Sequence, residues 1–275
     1  MVQRIQLFWR FLRYYWSAVT RYHVHSPFVY DFVEQVLEDP RDFYAFPVIE
    51  RLRRKLLQDH TKIKITDYGA GSLVTGQRER SISSIAKYSA TRPFFCRVLF
   101  RTVLHYQPQN MVELGTSLGI SSLYQAWAAS KSRFITLEGC PVIAGLAQRH
   151  FHALEMKHIE QLVGPFSETL PKTLQSLDRL DYVFIDGHHK YKPTVDYFEL
   201  CLEKAHNDTV FIFDDIHWTK EMVQAWEEIK QHPRVKLSID IFFFGIVFLR
   251  EEFVEPIHMQ LAPQRWKPWK LGFTR

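Results

Sequence analysis

The chain has 275 residues, 46% hydrophobic and 24% charged, with a net charge of +5; this allows a full core plus an accessory segment and excludes a disordered chain. Three cysteines, Cys96, Cys140 and Cys201, are odd in number and lack C-x-x-C spacing, which excludes a disulfide scaffold or zinc site and fits a reducing, cytoplasmic location. No apolar run is long enough to span a bilayer, and the N-terminus lacks the basic, apolar and small-residue order of a signal peptide.

Ile5 to Trp16 reads as an amphipathic helix rich in aromatics and arginine. Aromatics at helical spacing favour packing on the main domain or a second subunit over lying on a membrane surface; a homodimer and a peripheral membrane contact both stay open. Ser26-Pro27 marks a helix start, with Phe28, Phe32, Val33 and Val36 on one face. His23 and His25 read as turn or interface residues rather than metal ligands. A helix over 48–59 follows. Asp67-Tyr-Gly-Ala-Gly-Ser72 imitates a cofactor-binding glycine turn, but the polar, loop-like stretch 75–81 follows it in place of a second strand ending in an acid. It reads as a decoy, or as a loop closing over an active site. Residues 84–106 read as helix, broken near Pro93.

From residue 110 the pattern is regular. Strand-like runs cover 111–114, 134–137, 159–163, 182–185, 210–213, 235–241 and 246–249, with helical segments between most of them. Alternation of this kind predicts an α/β fold: a doubly wound, mostly parallel seven-stranded sheet. The last two runs have no helix between them, so the final strand is expected to be antiparallel. The domains expected are a mainly helical accessory region over 1–105, a sheet domain over 106–252 and a tail over 253–275. The basic excess at the two ends reads as solvated helix faces, so nucleic acid is not favoured.

Met111 to Ser122 organises the sheet domain. An apolar run ends in Glu113, and Gly115 and Gly119 let the turn approach a ligand closely. A second apolar run ends in Glu138, where an acid takes ribose hydroxyls in nucleotide-type sites. The spacing Gly115-x-x-x-Gly119 lacks the middle glycine of a dinucleotide turn, which favours a ligand without phosphates. Asp186 follows the fourth run, and Asp214 and Asp215 follow the fifth. Three carboxylates converging at one sheet edge would repel one another, and a divalent cation relieves that. His188 and His217 read as exposed loop residues or helix caps.

The order of elements over about 106–250 resembles class I S-adenosylmethionine-dependent methyltransferases. Glu113-Leu-Gly-Thr-Ser-Leu-Gly119 resembles that family's first motif, Leu137-Glu138-Gly139 its ribose-binding acid, and Gly164 to Pro171 the segment that packs on the adenine. The resemblance implies cofactor contacts at Glu113, Gly115, Thr116, Ser117, Gly119, Glu138, Gly139, Phe166 and Asp186. Asp181 to Tyr191 and Val210 to Trp218 resemble the metal-dependent O-methyltransferases, of the catechol type and of the sugar-modifying type with D-G-x-H-x-Y. That implies Asp186, Asp214 and Asp215 as ligands of magnesium or a similar cation, and Asp186 and His189 as catalytic. The expected reaction is O-methylation of a hydroxylated small molecule. The alternatives are a metal-independent methyltransferase acting on nitrogen or a macromolecule, and a non-methylating hydroxylase or cofactor-binding protein on the same fold.

Overall fold

The computed structural model describes residues 2–66 and 77–270. The glycine turn at 67–72 lies outside the described residues, as does the end of the tail. The chain divides into two compact units, one of residues 41–183 and one of residues 1–40 with 184–275.

The first unit opens with helix α3 (Ala45–Gln58), after α1 (Val2–Ser17) and α2 (Pro27–Phe32) of the other unit. Strands β1 (Lys62–Thr66) and β2 (Gln77–Ser81) pair antiparallel. The stretch expected to be loop-like is therefore partly strand. Arginine and glutamate at alternate positions (Gln77-Arg-Glu-Arg-Ser81) hid it, because no apolar face marks it. Helix α4 (Ile82–Tyr88) starts where the Ser81 hydroxyl accepts the Ser84 N–H at 3.2 Å. Pro93 opens α5 (Pro93–Tyr106) at its first turn, where no N–H is needed.

There follow β3 (Asn110–Leu114), α6 (Ile120–Ala128), β4 (Arg133–Glu138), α7 (Pro141–Ala153), β5 (Ile159–Val163), α8 (Phe166–Gln175) and β6 (Leu180–Ile185). Strands β3, β4 and β5 run parallel, with Glu113 opposite Thr136 and Glu138 opposite Val163. The chain goes on through α9 (Tyr191–Leu202), β7 (Ala205–Phe213), α10 (Lys220–Gln231), β8 (Leu237–Asp240), β9 (Gly245–Phe248) and β10 (Ile257–Gln260). Helices α2 and α10 are capped by Ser26 and Thr219, whose hydroxyls accept the N–H of Val29 (3.4 Å) and Met222 (3.0 Å).

The sheet has eight strands in the order β10-β8-β9-β7-β6-β3-β4-β5, not the seven expected. The expected antiparallel strand is β9, which lies between β7 and β8 and opposes both. It is not last: β10 follows and runs parallel to β8 at the edge. Strand β10 escaped notice because Ile257-His-Met-Gln260 is short, half polar and flanked by prolines. The burial patterns agree with position in the sheet. Strand β6 is buried throughout, whereas β5 and β10, at the two edges, leave residues exposed. Among the described residues no helix is long and apolar enough to cross a membrane.

Candidate active site

Strand β3 carries Glu113 into the core with no exposed surface. Its carboxyl accepts hydrogen bonds from Ser121 (2.7 Å), Gln125 (2.8 Å), Thr136 (2.7 Å) and the Ser122 hydroxyl. Burial pushes its pKa up from 4.5 to about 7, against the pull of those four donors. Glu113 thus ties β3 to α6 and β4 beneath the turn, and its carboxyl faces the protein on all sides.

The turn after β3 is left-handed at Gly115 (φ 107°), Ser117 (φ 47°) and Gly119 (φ 80°). The two glycines accept this at no steric cost. Ser117 carries the strain of a non-glycine residue there, and only the backbone geometry reveals it. The amides of Gly115 and Thr116 donate to Leu137 O at 2.9 and 3.1 Å, which fastens the turn to the end of β4. Gly119 caps α6 and has the Phe151 ring against it, so close that a Cβ would lie 2.6 Å from Cε1.

Strand β4 ends in Glu138. Its carboxylate accepts the Ser117 N–H at 2.8 Å and the Cys140 N–H at 2.9 Å, while its carbonyl accepts the Gly164 N–H at 2.9 Å. One side chain thus spans the turns after β3 and β4. Gly115, Ser117, Glu138 and Gly139 keep accessible surface, and they lie together at the carboxyl ends of these strands. Thr116, Gly119 and Phe166 are buried. Thr116 uses its hydroxyl inwardly, 2.6 Å from that of Thr136.

In the unit of residues 1–40 and 184–275, Asp186 follows β6 and the pair Asp214-Asp215 follows β7. The Asp214 N–H donates to Ile185 O at 2.9 Å. Asp215 is left-handed (φ 54°) and donates its N–H to Asp214 Oδ1 at 2.8 Å. Burial raises the Asp214 carboxyl well above the usual range, helped by the charges of Asp186 and Asp215 and by a hydrogen bond with Asp186. His189 Nε2 is 3.4 Å from Asp186 Oδ1. Burial lowers the His189 pKa, but the hydrogen bond and charge of Asp186, with the charge of Asp215, outweigh it and the net shift is upward.

The repulsion that holds the Asp214 carboxyl up is one that a divalent cation would relieve, and oxygen donors suit magnesium or manganese. Among the described residues no three such side chains form a group arranged to hold a metal ion. The fit to a cation therefore rests on the chemistry of this carboxylate pair.

The other two histidines have structural partners. His188 Nδ1 is 2.6 Å from the Tyr197 hydroxyl, with the rings stacked. His217 Nε2 is 2.8 Å from Asp240 Oδ2, and its ring stacks on Phe242 with centroids 5.1 Å apart. Only 13% of the His217 side chain is exposed, so it is not the exposed loop residue expected. The Asp240 partner is remote in sequence and gave no signal there.

Residues 112–216 match the family model of a methyltransferase domain. The sheet that carries these residues has the methyltransferase fold. A catechol O-methyltransferase of Niastella koreensis is 30% identical over 113 residues, which is 40% of this chain and 50% of that protein. The chain thus spans about half the length of the curated relative it matches. The methyltransferase fold is that of SAH-bound PaMTH1 of Podospora anserina, with a TM-score of 0.56 and 13% identity over 75% of this chain and 88% of that one. It is also that of a Bacillus cereus O-methyltransferase in complex with SAH, with a TM-score of 0.53 and 19% identity over 80% and 96%.

Proposed function

We propose that this chain transfers the methyl group of S-adenosylmethionine to a hydroxyl of a small molecule, with a divalent cation at the carboxylates. The observation that carries this reading is the half-buried Glu138 at the end of β4, whose carboxylate is tied to the Ser117 N–H of the glycine turn. The match of residues 112–216 to a methyltransferase domain supports it, and so does the likeness to a catechol O-methyltransferase.

Glu138 holds the Ser117 and Cys140 amides, and as a carboxylate it would accept charge-assisted hydrogen bonds from two ribose hydroxyls. The backbone at Gly115, Ser117 and Gly139 meets the cofactor's amino-acid tail. Glu113 and Thr116 act from beneath by holding the turn in shape, and Phe166 backs the adenine. Asp186 and Asp214, with Asp215 beside them, would hold the cation, which when bound lowers the pKa of an acceptor hydroxyl. His189 takes the hydroxyl proton, and Asp186 orients its ring. A bound S-adenosylmethionine would supply the methyl group, its carbon–sulfur bond breaking as the acceptor oxygen bonds the methyl carbon, and S-adenosylhomocysteine would leave. Alignment and exclusion of water supply most of the rate gain.

Calorimetric titration with S-adenosylmethionine tests this, in chelator and then with magnesium, beside Glu138→Ala. Binding that the variant loses supports the cofactor assignment. Turnover of hydroxylated acceptors that stops in chelator supports the cation, and turnover that continues in chelator would move the reading to metal-independent transfer. No binding in either condition would refute the proposal.

A further inference from the structure

Helix α1 is pinned along one face and bare along the other. Tyr14, 1% exposed, donates its hydroxyl to Leu261 O. The Tyr15 hydroxyl donates to Trp266 O at 2.6 Å, and Arg10 donates to His217 O at 2.9 Å. Phe11 meets Phe242 edge-on with centroids 5.0 Å apart. On the opposite face Ile5 is 51% exposed, Phe8 56%, Trp9 60% and Trp16 77%. Positions 5, 8, 9 and 16 fall on one stripe of a helix. Trp269, also exposed, stands edge-on to Tyr15 of the pinned face.

Monomeric proteins seldom leave so many large apolar side chains contiguous and bare. Exposed Arg4 and Arg13 border the stripe on its two sides, and α1 contains no aspartate or glutamate. We propose that this face docks on an anionic lipid bilayer. Tryptophans belong at the level of the headgroups, and arginines beside them meet lipid phosphates. A second copy of the chain is the poorer occupant, because stripe against stripe would bring cationic borders together with no carboxylate on either helix. The contacts on the buried face hold the stripe already folded, so docking needs no ordering of the helix. This inference is independent of the methyl-transfer reading.

The test is flotation of the full-length protein with vesicles of phosphatidylcholine, and of phosphatidylcholine with phosphatidylglycerol. Wild type, Trp9→Ser/Trp16→Ser and Arg4→Gln/Arg13→Gln are compared, with size-exclusion chromatography in the absence of lipid. The wild type should float with the anionic vesicles and be released by salt. The tryptophan pair should lose about tenfold or more in affinity with an unchanged circular-dichroism spectrum. The arginine pair should lose about fivefold per arginine, equivalent to about 1 kcal/mol each. These exposed arginines give a readout that does not depend on the folding of the tryptophan variant. Equal binding to neutral vesicles would overturn the assignment, as would no flotation at all. So would a dimer that Trp9→Ser/Trp16→Ser converts to monomer, since a second copy would then cover the face.

Discussion

The carboxylate of Glu138 accepts the backbone N–H of Ser117 at 2.8 Å, so the acid at the end of one strand fixes the left-handed turn after its neighbour. The side chain that fixes the turn is thus also the one proposed to hold the ligand. Glu138→Ala should lower affinity for S-adenosylmethionine by about 100-fold, from two charge-assisted hydrogen bonds of about 1.5 kcal/mol each. It should also destabilise the protein by about 1–2 kcal/mol, because the Ser117 and Cys140 amides lose their acceptor. Calorimetry and urea unfolding measure the two effects separately. Unchanged affinity would remove Glu138 from the cofactor site.

Gly119→Ala should be among the more damaging single-methyl additions in this unit. The residue has φ 80°, and the new Cβ would lie 2.6 Å from Phe151 Cε1. Phe151 is itself buried at 1% exposure, so its ring has little room to retreat. Backbone strain and overpacking together predict a loss of about 2–4 kcal/mol. Phe151→Leu added to Gly119→Ala should recover the clash but not the backbone strain, which unfolding curves of the three variants would show.

Glu113 makes stability depend on pH. Its folded pKa is raised from 4.5 to about 7, so the folded state binds the proton more tightly than the unfolded state does. Stability must then fall as pH rises between these values, by about 2–3 kcal/mol in total. Glu113→Gln removes the titration, and its stability should vary less over that window. Thermal melts at successive pH values check this; an equal slope in the variant would assign the dependence to other groups.

Asp214→Asn separates stability from function. The Asp214 carboxyl is held well above its ordinary range by burial and by Asp186 and Asp215. Its presence therefore destabilises the folded protein as pH rises toward neutrality, the same sign as for Glu113. An amide imitates the protonated acid toward Asp186. In chelator at neutral pH, Asp214→Asn should be as stable as the wild type or more so, by about 1 kcal/mol. Its methyl-transfer turnover should fall at least about 100-fold if Asp214 holds a cation. A variant that is destabilised in chelator would show that the carboxylate has a structural role instead.

The sheet was legible in the chain because alternating apolar runs and helical segments leave few other ways to bury their surfaces. The same holds for Gly115, Gly119 and Glu138, since a glycine turn followed by a strand-end acid is a local pattern. The residue identities at 186, 214 and 215 were equally plain, because acids that end buried strands stand out against apolar neighbours. Strand β10 was not legible, since a short edge strand half open to solvent need not carry an apolar face.

The remaining features depended on tertiary structure. No local pattern distinguishes a strand acid that keeps accessible surface from one buried among four protein donors, yet Glu138 and Glu113 differ in this respect. His188, His189 and His217 look alike in sequence, and only the fold pairs them with Tyr197, Asp186 and Asp240 in turn. Helical periodicity showed that α1 is amphipathic, but not which of its aromatics the chain itself would cover. The sequence determines which groups are present and which short-range geometries they favour. Burial, and with it protonation and partner choice, is set by residues far away along the chain, so only the folded structure decides it.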